Sequence, residues 1–296
     1  MILIIILYAI LALTFILAKN ALLYAAPCFL IGFRMTLAGG ALLAYCALRD
    51  KKQFVINLGD WWLFVKAACF HIYCAFVFEF WALQYISALK ANIIYSLTPF
   101  IAALLSFWIL RERLTKKKIG AMVIGFCGVL PVLITTSTSI ESIMEIGCIS
   151  IPEMVLFIAV VSSVYAWFLI KNLMDKGYHI GFINGVTMCM GGVLSLLTSF
   201  IFERDILLVT DWRLFLFWVL LLIVAANIIF YNLYAWLLRS YSMTLLMFAG
   251  FLSPVFGVLY EYCFAEGKIS WHYFVAILGI GVGLYIFYSD ELKKIG

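Results

Sequence analysis

Charged residues are scarce in this sequence. Only 12% of its 296 residues are Asp, Glu, Lys or Arg, whereas 67% are hydrophobic. That composition excludes a soluble domain and indicates a polytopic membrane protein. Lys and Arg exceed Asp and Glu by 20 to 15, but the excess lies in short segments between apolar runs, where it reports on orientation. We therefore expect a lipid bilayer around the chain and no nucleic-acid partner.

Patterns for catalysis and metal binding are also missing. The eight cysteines are scattered through apolar runs without C-x-x-C spacing, which predicts small buried residues and no metal site or disulfide framework. No G-x-x-x-x-G-K-[ST] motif is present, so the chain carries no ATP-hydrolysing engine. Of three histidines, only His71 falls deep inside an apolar run. We predict no cofactor and no enzymatic activity. An intramembrane enzyme, which would need a histidine cluster or a nucleophile with its base, is kept as an alternative.

Proline is rare, and two of the five prolines interrupt apolar runs. Thr98-Pro99 and Ser253-Pro254 stand 155 positions apart. Proline removes a backbone donor and leaves the carbonyl one turn earlier without its hydrogen bond. Within a membrane such a carbonyl is tolerated only where it faces protein or a water-filled cavity. Matched breaks in two halves are typical of transporter binding sites. We predict that Pro99 and Pro254 are gating or hinge residues; the alternative is that they only kink packed helices.

The apolar runs predict an all-α polytopic membrane protein with ten transmembrane helices, since each run is close to the ~20 residues that a crossing needs. The predicted spans are 2–21, 28–48, 61–86, 88–110, 117–135, 152–173, 179–202, 213–238, 241–264 and 271–289. The domain prediction is a first five-helix repeat at 1–135, a linker loop at 136–151 and a second five-helix repeat at 152–296.

An internal repeat supports this division. Matches in order along the chain are Lys19-Asn20 with Lys171-Asn172 and Gly39-Gly40 with Gly191-Gly192 at an offset of 152, then Trp81 with Trp236 and Ser87 with Ser242 at 155. Because each repeat has an odd number of spans, the second must insert upside down. The sequence therefore predicts the inverted-repeat plan of secondary transporters.

Basic residues predict the orientation. Five Lys and Arg residues fall within 111–118, whereas the repeat counterpart at 265–271 holds only Lys268. Counted over all loops, most Lys and Arg residues lie on the same side of the membrane as the N-terminus. Loops rich in Lys and Arg stay inside the cell. We expect a multi-pass protein of the cell inner membrane with both termini cytoplasmic.

Three stretches carry a resemblance to a known family: FILAKNAL…P…FR at 15–34, ALKANIIYSLTPFIAALLSFWILRERLTKKKIGAMVIGFCGV at 88–129, and the degenerate copy SPVFGVLYEYCFAEGKIS at 253–270. The chain resembles the EamA-type ten-helix transporters of the drug/metabolite transporter superfamily. The resemblance implies spans 1–4 and 6–9 around a central cavity, spans 5 and 10 packed together, and alternating access for small organic solutes. Members carry amino acids, nucleotide sugars, phosphorylated sugars or S-adenosylmethionine.

Two charged residues fall inside predicted spans at one depth. Arg34 and Glu79 each lie about seven residues inside the same predicted membrane face, which is ~10 Å at ~1.5 Å per residue. A lone charge there is costly, so they either form a structural ion pair or border a wet cavity. The resemblance favours a structural or coupling role for Arg34 and leaves Glu79 for substrate. His71 is either a proton relay or a neutral side chain bonded to a neighbouring helix.

The remaining candidates are deep polar and aromatic side chains. The predicted substrate-binding set is Phe15, Glu79, Asn92, Tyr95, Thr98, Tyr165, Asn227 and Tyr231. Asn227 and Asn232 are five residues apart, so we expect them on rather different faces of their helix. Aromatic rings with a carboxylate suit a substrate that has a planar ring and a cationic or amino-acid group, such as S-adenosylmethionine or an aromatic amino acid.

We therefore predict a secondary transporter of a small organic metabolite, monomeric or homodimeric. A non-transporting membrane scaffold is the other alternative.

Overall fold

The computed structural model describes residues 2–49, 56–82, 85, 94–111, 115–135, 150–203, 209–264 and 271–295. Almost all of these residues are helical. Their one strand-like feature is an isolated antiparallel bridge between Ala25 and Val209. The helices are α1 Ile2–Leu22, α2 Pro27–Arg49, α3 Leu58–Ala82, α4 Thr98–Ile109, α5 Lys116–Thr135, α6 Ile151–Asp175, α7 Ile180–Phe202, α8 Trp212–Leu237, α9 Met243–Ala249, α10 Leu252–Phe264 and α11 Trp271–Ile295.

Six of these helices, α1, α2, α3, α6, α7 and α8, are long and apolar enough to cross a membrane. Shorter apolar helices cover Thr98–Ile109, Met243–Gly257 and Phe274–Asp290. This confirms the prediction of an all-α polytopic membrane protein. Most helix bounds agree with the predicted spans to within a few residues, but the ninth span is divided into α9 and α10, and α11 continues to Ile295. Residues 83, 84 and 86 of the third span and 88–93 of the fourth lie outside the described part of the chain.

The chain divides into two compact units, and each draws on both halves of the sequence. The α5–α11 unit comprises Met1–Leu13, Ala82–Phe157 and Ser240–Gly296, and the α2–α7 unit comprises Thr14–Trp81 and Ile158–Arg239. The predicted boundaries at 135 and 152 divide the sequence into repeats and not into these units, so they stay a prediction.

Helices α2 and α7 pack closely in antiparallel directions. A Cβ at Gly39 would lie 2.7 Å from the Gly185 carbonyl oxygen, and one at Gly192 would lie 2.7 Å from the Thr36 amide nitrogen. Facing residues have numbers that sum to about 228, as in Thr36–Gly192 and Gly39–Cys189. Small residues permit this approach in membranes. The repeat-equivalent helices α2 and α7 are thus antiparallel, as expected for an inverted repeat.

Helices α5 and α11 repeat this arrangement in the other unit. A Cβ at Gly128 would lie 3.0 Å from the Gly279 Cα atom, and one at Gly283 would lie 2.8 Å from the Ala121 carbonyl oxygen. The helices are therefore antiparallel, and they correspond to the fifth and tenth predicted spans. Their contact agrees with the packing that the family resemblance implied.

Candidate functional site

Two segments of π-helix occupy matching places in the repeats. They are Cys69–Cys74 within α3 and Ile223–Phe230 within α8, 154 to 156 positions apart by their first and last residues. A π turn inserts one extra residue, is rare and is frequent at functional sites. His71 lies in the first segment and Asn227 in the second, so the wide turns carry two of the predicted site residues.

A buried aromatic cluster surrounds His71 in the α2–α7 unit. Its ring centroid lies 4.8 Å from that of Trp167 and 4.9 Å from that of Tyr231, and Trp167 stacks on Tyr231 at 5.8 Å. Tyr234 adds a further ring 4.0 Å from Trp167. Neither nitrogen of His71 has a hydrogen-bond partner within the described residues. The interpretation of a histidine bonded to a neighbouring helix is therefore wrong for this part of the chain, and ring contacts hold the imidazole instead.

The predicted charge pair borders this cluster. Arg34 is 5% exposed, and both Glu79 and the Tyr231 hydroxyl are close enough to interact with it electrostatically. The guanidinium carbon lies 5.1 Å from the centroid of the Phe76 ring, in cation–π geometry. The structure thus brings Arg34 and Glu79 close together, as the depth argument predicted, and it adds Tyr231 and His71, which that argument did not include.

Asn227 is fully buried on the same helix as Tyr231. Its amide nitrogen lies 2.9 Å from the Met35 sulfur and 3.6 Å from the Met188 sulfur. Asn232 donates to the carbonyls of Asn227 and Ile228 at 3.3 and 2.8 Å. It therefore satisfies carbonyls that the wide turn displaces from regular α-helical bonding.

The expectation that Asn227 and Asn232 occupy different faces is wrong. Asn232 accepts a 3.2 Å hydrogen bond from Asn184 on α7, and Asn227 meets Met188, one turn further along α7. Both asparagines therefore face α7. The expectation assumed 3.6 residues per turn, whereas a π turn brings residues five apart into line.

The proline breaks lie in the α5–α11 unit. Turn residues 96–97 precede Pro99, and turn residues 250–251 precede Pro254, with three-residue hydrogen bonds from Leu97 to Ile94 and from Gly250 to Met247. Proline cannot donate to the carbonyl four residues earlier. The Tyr95 carbonyl accepts instead from the Thr98 hydroxyl at 2.5 Å. The predicted interruption of both helices is confirmed, and the hydroxyl of Thr98 and the carbonyl of Tyr95 take part in the first of them.

At the second break a distant side chain covers the freed carbonyl. Gly250 bonds to Met247 and so leaves the Leu246 carbonyl without its regular partner. The Tyr8 hydroxyl of α1 donates to that carbonyl. Tyr8 was not among the predicted residues, because nothing local in the sequence links positions 238 apart.

The other predicted residues are placed less centrally. Phe15 is 54% exposed. Tyr165 is half-buried with its ring 5.3 Å from Phe70, edge to face. Asn92 lies outside the described residues.

Sequence reasoning also missed a buried carboxylate. Glu203, after the end of α7, accepts from the amides of Cys28 and Phe29 at 2.8 and 3.0 Å and from the Ser199 hydroxyl at 2.6 Å. These bonds satisfy backbone donors at the start of α2, which assigns Glu203 to structure. A glutamate just beyond an apolar run was the available signal.

The described residues contain no group of three or more His, Cys, Asp or Glu side chains that could hold a metal ion. The side chains around His71 supply buried aromatic faces, the guanidinium of Arg34, the carboxylate of Glu79 and the amide of Asn227. That set suits the reversible binding of a planar, charged organic molecule.

Comparisons with known proteins agree with this chemistry. The model of the EamA-like transporter family matches residues 1–134 and 150–289. The chain is 32% identical to a protein of Chlamydia muridarum named S-adenosylmethionine/S-adenosylhomocysteine transporter, over 95% of this chain and 89% of that protein. Proteins of the same name from two Chlamydia trachomatis serovars are also 32% identical, over 95% of this chain and 86% of theirs.

A solved structure titled "Crystal structure of protein" superposes with a TM-score of 0.72 and 18% identity. The match covers 96% of this chain and 94% of that one. At that identity the likeness supports the fold alone.

Proposed function

The chain belongs to the EamA-like transporter family, and we propose that it transports S-adenosylmethionine and S-adenosylhomocysteine across the inner membrane by alternating access. The observation that carries this proposal is the 32% identity to transporters of that name along 95% of the chain. Similarity of that extent spans both repeats, so it covers every helix that could contribute to a substrate path.

The geometry of the α2–α7 unit supports the proposal. S-adenosylmethionine has a flat base, a positive sulfonium and an amino acid end, and each part has a partner here. The rings of Trp167 and Tyr231 suit the base, Glu79 suits a cationic group, and Arg34 suits a carboxylate. Charge-assisted contacts of this kind are strongest away from water, and Arg34, Trp167 and Tyr231 are buried.

The other predicted residues remain part of the proposal. Pro99 and Pro254 are assigned to hinges, and Arg34 and His71 to structure or coupling. The remaining proposed substrate contacts are Phe15, Asn92, Tyr95, Thr98, Tyr165 and Asn227. We also propose that the chain has no enzymatic activity, works as a monomer or homodimer and has both termini in the cytoplasm.

The test is uptake into proteoliposomes that contain the purified protein. Labelled S-adenosylmethionine should accumulate, and excess unlabelled S-adenosylhomocysteine should abolish the signal. Phenylalanine serves as the matched competitor, because it has the ring and the amino acid end but no sulfonium or adenine. Empty liposomes give the background. Uptake that phenylalanine blocks and S-adenosylhomocysteine does not would make the protein an aromatic amino acid transporter and refute the proposal.

A further inference from the structure

Asn227 has unused hydrogen-bonding capacity in the core of the α2–α7 unit. The side chain is 0% exposed, yet its Oδ1 atom has no hydrogen-bond partner within the described residues. Among the described residues, its amide nitrogen has two thioether sulfurs as acceptors, and these are weak. Buried amide oxygens are nearly always bonded, so Oδ1 of Asn227 is open to a donor that the described residues do not supply.

The surroundings of Asn227 indicate the shape of that donor. Tyr231 lies one turn further along α8, with the rings of His71 and Trp167 against it at 4.9 and 5.8 Å. Both side chains approach α2, where Asn227 contacts Met35 and Tyr231 interacts electrostatically with the adjacent Arg34. A planar group that stacked on these rings would therefore present its edge to the amide of Asn227.

Hydrogen bonds from the Asn232 side chain fix the backbone turn that carries Asn227. Asn232 bonds the carbonyls of Asn227 and Ile228 and is itself bonded by Asn184. These hydrogen bonds use backbone carbonyls of the π segment and leave the Asn227 side chain available to a ligand. The thioethers of Met35 and Met188 are flexible and can give way to a ligand.

We propose that Asn227 determines specificity for adenine. An asparagine amide offers an acceptor and a donor side by side, which match the N6 amino group and the N7 nitrogen of adenine. Oδ1 accepts from N6, and the amide nitrogen donates to N7 in place of the sulfurs. This inference rests on the proposed transport of S-adenosylmethionine and S-adenosylhomocysteine, and it names the residue that selects their base.

The rings of the cluster now contact one another, so the base enters when α8 moves relative to them. The π segment supplies the place for that movement, because loss of its extra residue per turn rotates the side chains that follow. Asn227 lies within the segment and Tyr231 directly follows it, so a change in the segment moves both side chains.

The experiment compares two ligands and three proteins by calorimetry in detergent. The ligands are S-adenosylhomocysteine and its 6-deamino analogue, which has hydrogen in place of the N6 amino group and is otherwise the same. The proteins are wild type, Asn227→Leu, which keeps the side-chain shape, and Thr187→Val as the matched control. Thr187 is also buried on the neighbouring helix, but its hydroxyl bonds only to carbonyls of its own helix.

We expect wild type and Thr187→Val to bind S-adenosylhomocysteine about tenfold or more tightly than the 6-deamino analogue, since the analogue leaves Oδ1 unsatisfied. In Asn227→Leu the two ligands should bind alike, at about the affinity of the analogue for wild type.

Equal binding of both ligands by wild type would overturn the inference, and so would discrimination that survives in Asn227→Leu. Either result leaves the proposed transport standing. A wild-type protein that binds neither ligand would overturn the proposed function itself. If Asn227→Leu does not fold, the comparison of the two ligands on wild type decides alone.

Discussion

The close packing of α2 against α7 gives the sharpest stability prediction, because adjacent glycines of α2 differ in their surroundings. An alanine Cβ at Gly39 would lie 2.7 Å from the Gly185 carbonyl oxygen and from the Cys189 amide nitrogen, whereas one at Gly40 would meet nothing within 4 Å. Ordinary contact begins at 3.4 Å, so Gly39→Ala must move the backbones apart by 3.4 − 2.7 = 0.7 Å. Neither neighbouring atom belongs to a flexible side chain that could yield.

Overpacking of this kind costs about 1–3 kcal/mol. Both substitutions gain the same helix propensity of roughly 1 kcal/mol, so the difference between them isolates the contact. We expect Gly39→Ala to lower the free energy of unfolding by about 1–3 kcal/mol relative to Gly40→Ala. Unfolding by SDS in mixed micelles, followed by tryptophan fluorescence, measures both. Equal stabilities would show that the close approach of α2 and α7 does not contribute, and the packing argument would fail.

Three further predictions concern the charge pair, the breaks and the orientation. Glu79→Gln should keep its melting temperature, because the isosteric amide can still bond to Arg34. It should bind S-adenosylmethionine about tenfold more weakly, the scale of one charge-assisted contact, and unchanged binding would remove Glu79 from the site. Arg34→Gln should instead lower the melting temperature because it strands a carboxylate, and the double variant should recover it if the pair is only structural. Pro99→Ala and Pro254→Ala should both fold, but each should transport substrate more slowly than wild type in proteoliposomes, since each restores a helical donor at a break. Wild-type transport rates in both variants would refute the hinge role. A cysteine at exposed Lys117 should react with an impermeant thiol reagent only after the cells are permeabilised, with the unsubstituted protein as control; labelling in intact cells would reverse the orientation.

Features with a local cause were predictable from the sequence. Pro99 and Pro254 locate the two helix interruptions because the missing N–H acts within one turn. Arg34 and Glu79 interact electrostatically, and their equal predicted depths on antiparallel helices were enough to indicate this. The apolar runs locate the helices because hydrocarbon thickness fixes their length.

Features caused by tertiary packing were not predictable. Residue type does not encode a π turn, so the wide turn in α8 and the shared face of Asn227 and Asn232 required the structure. The sequence also treats Gly39-Gly40 and Gly191-Gly192 as equivalent pairs. In the structure, Gly191 and Gly192 are both tightly surrounded, by Ile72 and Thr36, whereas Gly40 is open. The contact of Asn227 with Met35 joins positions 192 apart, which no local pattern reports.

The antiparallel contact of α2 with α7 also constrains biosynthesis. A ribosome adds about 5–20 residues per second, so the partner that lies 152 positions later follows after roughly 8–30 seconds. During that interval α2 is in or near the translocon with its glycine face against lipid or an insertion factor. A nascent chain that stalls between the repeats would expose that face for longer, and it would be a natural target for membrane quality control.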